Sequence, residues 1–275
     1  MTPSIRDLFR APASSATFTL ADVKTTPMHG MSRKKTEKET ARDQKKLARW
    51  QERLRAERMR SLLIVLQGMD TSGKDGTIKH VLSAINPQGV RVTSFKEPTE
   101  QELAHQFLWR IRKALPAAGE IGVFNRSHYE DVLVVRVDNL VPEEVWRSRY
   151  GTINRFERKL ATSGTTIIKI FLHISFEEQR LRLRRRLEDP TKRWKFHPGD
   201  IDKRSQWDDY QRAYSEALAR CSSGAAPWYI VPADAKWYRN WMIGRLLVET
   251  FEDMKPDYPQ PDYDVKAMKA RLEIS

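Results

Sequence analysis

The chain has 275 residues, with 49 Lys+Arg against 36 Asp+Glu and a formal net charge of +13. Hydrophobic residues make up 40% and charged residues 31%, which is globular composition and excludes a disordered polymer. The longest purely apolar run, residues 62–66, is too short to cross a bilayer, and a single Cys221 leaves no internal disulfide or cysteine-built zinc cluster. A cytoplasmic protein without a membrane partner is expected, because the N-terminus carries Asp7 and Asp22 and lacks the apolar core of a secretion signal. The excess charge is local. Residues 32–60 hold 12 basic and 5 acidic side chains and residues 180–204 hold 10 and 4, while the rest of the chain balances. A high isoelectric point alone suits nucleic acid, whereas two discrete basic segments indicate two separate tasks.

In chain order, residues 1–30 contain Pro3, Pro12 and Pro27 without periodicity and read as an arm or loop. Residues 32–60 lack Pro and Gly, and Leu47, Trp50 and Leu54 recur at helical spacing. This is a charged helix with a narrow apolar stripe, docked on the core or a sister subunit, with anion binding as the other role. Residues 62–67 (LLIVLQ) form a buried-type strand that runs into a glycine-containing loop and a helix over 77–85, stopped before Pro87. A strand over 90–95, a helix over 100–115 and a strand over 121–124 follow. A polar cluster leads to a helix over 142–160, interrupted near Gly151. The spacing then predicts a strand over 166–174, helices over 176–187 and 205–221, a strand over 228–231 and a helix over 236–254. Such alternation specifies an α/β fold, an open parallel sheet covered on both faces. The expected division is residues 1–60 as arm and basic helix, and 61–275 as one domain with a lid at about 180–204.

Three segments carry chemistry. Gly68 to Lys74 (GMDTSGK) fits G-x-x-x-x-G-K, with a strand leading in and a helix leading out. Glycines at Gly68, Gly73 and Gly76 and small side chains at Thr71 and Ser72 let successive amides face an anion, and Lys74 adds charge at the helix start. The next position departs from the pattern: Asp75 replaces the Ser or Thr that usually holds Mg²⁺. Asp70 and Asp75 around a phosphate cradle make sense if they hold Mg²⁺ or orient an acceptor phosphate. The second segment, Asn125-Arg126-Ser127-His128-Tyr129-Glu130-Asp131, follows a strand where an α/β sheet places its ligand crevice. Asp131 would reach a metal directly or through water, and Glu130 and Arg126 would orient a nucleotide's terminal phosphate, with Arg136 just beyond. His128 reads as a packing or hydrogen-bonding residue, with a phosphohistidine intermediate as the alternative, and Tyr129 as core. The third segment crowds Arg180, Arg182, Arg184, Arg185, Arg186, Lys192, Arg193, Lys195 and Arg204 around Pro190 and Pro198-Gly199, the pattern of a basic closing lid. Lys96 and Glu97 are further crevice candidates.

The motifs GMDTSGKDGTIKHVL, NPQGVRVTSFKEPTEQELAHQFLWR, GEIGVFNRSHYEDVLVVRV and DPTKRWKFHPGDIDKRSQWDDY, in that order, resemble the polyphosphate kinase 2 family over about residues 40–255. The HYED form is similar to the class III subgroup, which accepts nucleoside mono- and diphosphates. The resemblance implies a three-layer P-loop kinase fold like that of thymidylate kinase, with a helical lid. It also implies Mg²⁺-dependent (or Mn²⁺-dependent) phosphoryl transfer between inorganic polyphosphate and AMP, ADP or a guanine nucleotide, in a homo-oligomer, dimer or tetramer. By motif position Asp70 and Asp131 would share the metal, Lys74 would hold the transferred phosphoryl, and Asn125, Arg126 and Glu130, with Arg136, would face the nucleotide. The loop residues Gly68, Thr71, Ser72, Gly73, Lys74, Asp75 and Gly76, with Lys96, Arg182, Arg186, Arg193, Lys195 and Arg204, would face polyphosphate. An ATP-dependent nucleotide or nucleoside kinase is the competing enzyme; it predicts Ser or Thr at 75 and fewer lid arginines. A nucleic-acid-binding protein would interleave aromatics with its basic residues, as Trp194 and Phe196 do only sparsely here, and no specific nucleic acid is expected.

Overall fold

A computed structural model describes residues 4–13 and 18–274; residues 1–3 and 14–17 of the expected arm, and residue 275, lie outside the described residues. The arm begins with helix α1 (Ile5–Phe9), capped by the Ser4 hydroxyl. It then bridges antiparallel to the sheet at Arg10–Tyr229 and buries Ala11 and Leu20. These contacts are single and aperiodic, so a periodicity argument sees only a loop. The long α2 (Arg33–Glu57) leads to β1 (Ser61–Gln67), then α3 (Lys74–Val81) and β2 (Val90–Ser94).

The helix expected over 100–115 is instead two short pieces, α4 (Glu100–Leu103) and α5 (Trp109–Lys113). Leu103, Phe107 and Ile111 stand at helical spacing, but the chain leaves the helix over residues 104–108, so Leu103 is 69% exposed while Leu108 and Ile111 are buried. After β3 (Ile121–Asn125) come α6 (Val134–Val137) and α7 (Glu143–Thr162). No break occurs at Gly151. Trp146, Tyr150, Ile153 and Phe156 bury one helical face of α7, and that packing outweighs the ~1 kcal/mol propensity cost of one exposed glycine. The chain continues through β4 (Thr165–His173), α8 (Phe176–Glu188), α9 (Gly199–Ser205), α10 (Trp207–Cys221), β5 (Trp228–Pro232) and α11 (Lys236–Met254). A final α12 (Val265–Glu273), capped by Asp264, buries no residue and has no counterpart in the sequence reading.

All strand pairings are parallel, in the order β2-β3-β1-β4-β5. The period of two sends Leu63 and Val65 to one face, where Trp146, Phe156, Tyr214 and Leu218 of α7 and α10 cover them. Leu62, Ile64 and Leu66 go to the other face, under α2, α3 and α11. The result is three layers around two cores. Leu47 and Leu54 of α2 are fully buried, and Trp50 stacks parallel on Phe251 with ring centroids 6.4 Å apart. Helix α11 of the same chain thus covers the stripe, which docks on the core, one of the two partners expected for it. Among the described residues no helix is long and apolar enough to cross a membrane.

The topology locates the crevice. β1 lies between β3 and β4, so the chain leaves its carboxyl end where neighbouring connections diverge to opposite sides. In register Leu66 stands beside Asn125 and Asn125 beside Ser94, which brings the ends of β1, β3 and β2 level under the loop after β1.

Candidate active site

The loop after β1 has a backbone that its residues dictate. Gly68 sits at φ 149°, and a Cβ there would come within 2.7 Å of the Leu172 carbonyl and 2.8 Å of Ser72 Oγ. Thr71 (φ 64°) and Gly73 (φ 104°) are left-handed, the backbone signature of an amide nest at the start of α3. Among the described residues the buried hydroxyls of Thr71 and Ser72 have no hydrogen-bond partner. Lys74 donates from Nζ to the Gly68 carbonyl at 2.8 Å. Burial pushes the Lys74 ammonium down, against the attraction of Asp70.

Asp70 is the charged centre. Burial would raise its carboxyl, but Lys74 and Arg126 together hold it below the usual carboxylate range. Arg126 Nη2 donates to it at 2.9 Å. Arg126 itself is at φ 63° immediately after β3, a left-handed conformation for a non-glycine residue of the kind that clusters at functional sites. Asp75 Oδ1 accepts from Asn125 Nδ2 at 2.8 Å, so the residue that breaks the loop pattern ties α3 to the end of β3.

These groups open into a cavity of about 620 Å³. Of the expected residues, Asp70, Thr71, Gly73, Lys74, Asp75, Gly76, Lys96, Asn125, Arg126, Arg182, Arg186 and Lys195 line it. Others do not. Asp131 is bonded to Arg149, whose Nη1 donates to its carbonyl at 2.9 Å and its carboxylate at 3.3 Å; burial raises its carboxyl, against Arg149. Glu130 is pushed up by burial, against Arg126 and Lys74, and is not on the cavity wall. Arg136 pairs with Glu216 at 2.5 Å over the Trp146 ring. Arg193 donates to the Leu187 carbonyl, and Arg204 to Phe176 and Gln179, stacked on the Phe176 ring. Arg182 lines the cavity but differs from the expected mobile lid arginine. It is buried, and it donates to the Thr71, Ser72, Ala233 and Asp234 carbonyls at 2.5 to 3.0 Å and to Glu178 at 2.7 Å. Its guanidinium fixes the loop's shape.

The sequence reading missed two groups. Lys236 and Arg239, on the first turn of α11, line the same cavity. The available signal was two cations three residues apart on the helix leaving the last strand, at the carboxyl edge where α/β crevices form. It also missed the support beneath the second motif. Lys169, fully buried on β4, donates to Glu157 Oε2 (2.5 Å), Tyr129 Oη (2.7 Å) and the Cys221 carbonyl (2.7 Å), which satisfies all three ammonium protons. Glu157 Oε1 also accepts from Tyr129 (2.9 Å) and contacts His128 Nε2 at 3.1 Å. His128 is 1% exposed, so it serves this network and has no path to a phosphate. Tyr129 is core, as expected.

For a divalent ion, the donor set is sparse. Among the described residues no three His, Cys, Asp or Glu side chains converge. Mg²⁺ needs only one or two carboxylates when phosphates and waters complete its shell. The ionised Asp70 beside unpartnered loop hydroxyls fits that mode; Asp131, held by Arg149, supplies no second carboxylate to the cavity wall.

The profile of Polyphosphate kinase 2 (PPK2) matches residues 30–259. The chain belongs to the polyphosphate kinase 2 family. It is 56% identical over 218 residues to the AMP/ADP-polyphosphate phosphotransferase of Meiothermus ruber, covering 79% of this chain and 82% of that one. It is 46% identical to the ADP-polyphosphate phosphotransferase of Rhodopseudomonas palustris, covering 78% of each. The crystal structure of Polyphosphate Kinase 2 from Arthrobacter aurescens TC1 superposes with a TM-score of 0.95 at 42% identity, covering 99% of this chain and 98% of that one. The polyphosphate kinase 2 fold, a parallel α/β sheet with a phosphate-binding loop, is therefore the fold of this chain throughout.

Proposed function

We propose that the chain transfers a phosphoryl group from inorganic polyphosphate to AMP and ADP, with Mg²⁺ as the metal. The observation that carries this reading is the cavity itself: a phosphate loop and the carboxylate of Asp70, faced by Arg186, Lys195 and other basic side chains. A cation-rich wall fits a polyanionic donor, and phosphoryl transfer needs positioning and charge neutralisation more than a protein nucleophile. Lys74 and the loop amides hold the transferred phosphoryl, and Arg126 spreads the charge that develops on it. Asp70 would hold Mg²⁺, or Mn²⁺ in its place, which would supply neutralisation of phosphate charge. Asp131 would join the metal's shell only through water or after Arg149 lets go. Asn125 and Glu130 position the acceptor side through Asp75 and Arg126. An ATP-dependent kinase on this scaffold is disfavoured by Asp75, whose carboxylate is engaged with Asn125. The relatives' names support AMP and ADP as acceptors. Guanine acceptors and homo-oligomers are proposed on the family resemblance alone, and cytoplasmic residence on the single cysteine, Cys221. The test is to incubate the protein with Mg²⁺, polyphosphate and AMP, ADP or GDP in turn. The next phosphorylated nucleotide is expected; no product with any acceptor, together with ATP-driven phosphorylation of a nucleoside, would overturn the reading.

A further inference from the structure

The phosphate loop is held from behind by α8. Gln179 Nε2 donates to the Asp70 carbonyl at 3.2 Å, and Arg182 Nη1 donates to the Thr71 and Ser72 carbonyls at 2.9 and 2.8 Å. Successive carbonyls are thereby turned toward the helix. An amide nest needs that, because its N–H groups converge on an anion only when the carbonyls between them point away. The clamp has its own anchor. Arg182 Nη2 donates to the Ala233 and Asp234 carbonyls at 2.5 and 3.0 Å, just beyond β5. The Asp234 carboxylate fixes those peptides: Oδ1 accepts from the Ser175 amide at 2.8 Å, at the start of α8, and Oδ2 accepts from the Thr25 hydroxyl at 2.7 Å.

Thr25 belongs to the arm, which precedes residues 30–259, the span matched by the family profile. The Asp234 amide returns a bond to the Thr25 carbonyl at 3.1 Å. Earlier in the arm Leu20 is fully buried, and its amide donates to Ser215 Oγ at 3.0 Å. His173, the last residue of β4, holds the Leu20 and Val23 carbonyls. The arm is thus pinned at the carboxyl ends of β4 and β5, the edge of the sheet from which the phosphate loop also rises.

We propose that Asp234 is a positioning residue for the phosphate loop, tying the arm through Arg182 to the carbonyls of Thr71 and Ser72. Asp234 does not line the cavity, so it acts through these groups and not on substrate. The proposal rests on the reading of the loop as the cradle of the transferred phosphoryl, and it adds the arm to what shapes that cradle. A loosened tether lets Arg182 and the loop shift, and a misplacement of about 1 Å costs about a hundredfold in rate.

The test compares wild type with Asp234→Ala, Asp234→Asn and Thr25→Val, by calorimetric titration with tripolyphosphate and by kcat and KM for ADP. Asp234→Ala should bind tripolyphosphate about tenfold more weakly and lose about tenfold in kcat, with the KM for ADP changed by less than about twofold. Thr25→Val removes one of the two carboxylate contacts and should show the same pattern at about threefold. Asp234→Asn keeps an oxygen for the Ser175 amide and offers the Thr25 hydroxyl an N–H, so it should stay within about twofold of wild type. A merely structural role would lower the binding stoichiometry and the melting temperature but leave affinity per folded molecule unchanged. That result, or wild-type affinity and kcat in Asp234→Ala, would overturn the proposal. An equal loss in Asp234→Asn would also overturn it, by assigning the effect to charge and not to the tether. If Asp234→Ala does not fold, Thr25→Val decides on the same readouts. Wild type that binds tripolyphosphate without turnover would instead sink the functional reading, leaving the tether to be judged on the affinity ratios; no binding by wild type would remove both.

Discussion

At the scale of single residues, the site works by opposing burial with charge. Asp70 is removed from water, which would protonate it, but Lys74 and Arg126 overcompensate and hold it ionised. A carboxylate kept charged in a phosphate cavity is useful only with a cation between it and the phosphates. Asp70→Asn should therefore lower kcat by at least about a hundredfold while the fold is kept, as measured by initial rates and thermal melting. The sign of its pH dependence follows. With its pKa depressed, Asp70 stays charged until the pH falls below the ordinary aspartate value of about 4, so no loss of rate between pH 6 and about 5 should trace to it. An acidic limb in that range that Asp70→Asn abolished would contradict the assignment. Asp75 shows what sequence reading gets and misses: the departure from the loop pattern was visible, but its partner Asn125, fifty residues away, is set by strand register.

At the scale of elements, β4 and α7 hold the second motif in place through the Lys169–Glu157 pair. Lys169 sits in an otherwise apolar strand, so its pattern gave no hint that a fully satisfied buried ammonium lay there. Lys169→Met should cost about 3–5 kcal/mol in denaturant unfolding, because it strands the Glu157 carboxylate without its counter-ion. The pair also has a pH signature. Burial opposes ionisation of Glu157, but Lys169 and His128 outweigh it and depress the pKa. Its stabilisation is then complete above the unfolded glutamate pKa of about 4.3 and lost as pH falls through the lower folded value. Acid unfolding monitored by fluorescence should show a later midpoint for wild type than for Glu157→Gln; coincident midpoints would remove the pair from the stability account. The stripe on α2 was legible from Leu47, Trp50 and Leu54. That α11 of the same chain would meet it was not, since helical spacing specifies a face but not its partner. Leu47→Ala should destabilise by about 2–5 kcal/mol even in a monomeric variant, read from urea midpoints.

At the scale of the whole molecule, the alternation of strands and helices was enough to give a parallel α/β sheet, and the strand ends were enough to place the crevice. The arm was not legible, because its hold on the sheet is a handful of isolated contacts. Among them His173 Nε2 donates to the Leu20 and Val23 carbonyls at 3.1 and 3.0 Å. The +13 surplus resolves into different uses. On α2 most of it surrounds an apolar seam to α11. In the lid it divides between loop clamps such as Arg182 and cavity-facing cations such as Arg186 and Lys195. The central claim is that this cavity takes its phosphoryl group from inorganic polyphosphate. ³¹P NMR of the protein with Mg²⁺, polyphosphate and ADP tests it most directly. Growth of the ATP β-phosphate signal at the expense of internal polyphosphate resonances is the predicted result. A polyphosphate spectrum unchanged over many enzyme equivalents, with product forming only when ATP is supplied as donor, would contradict it.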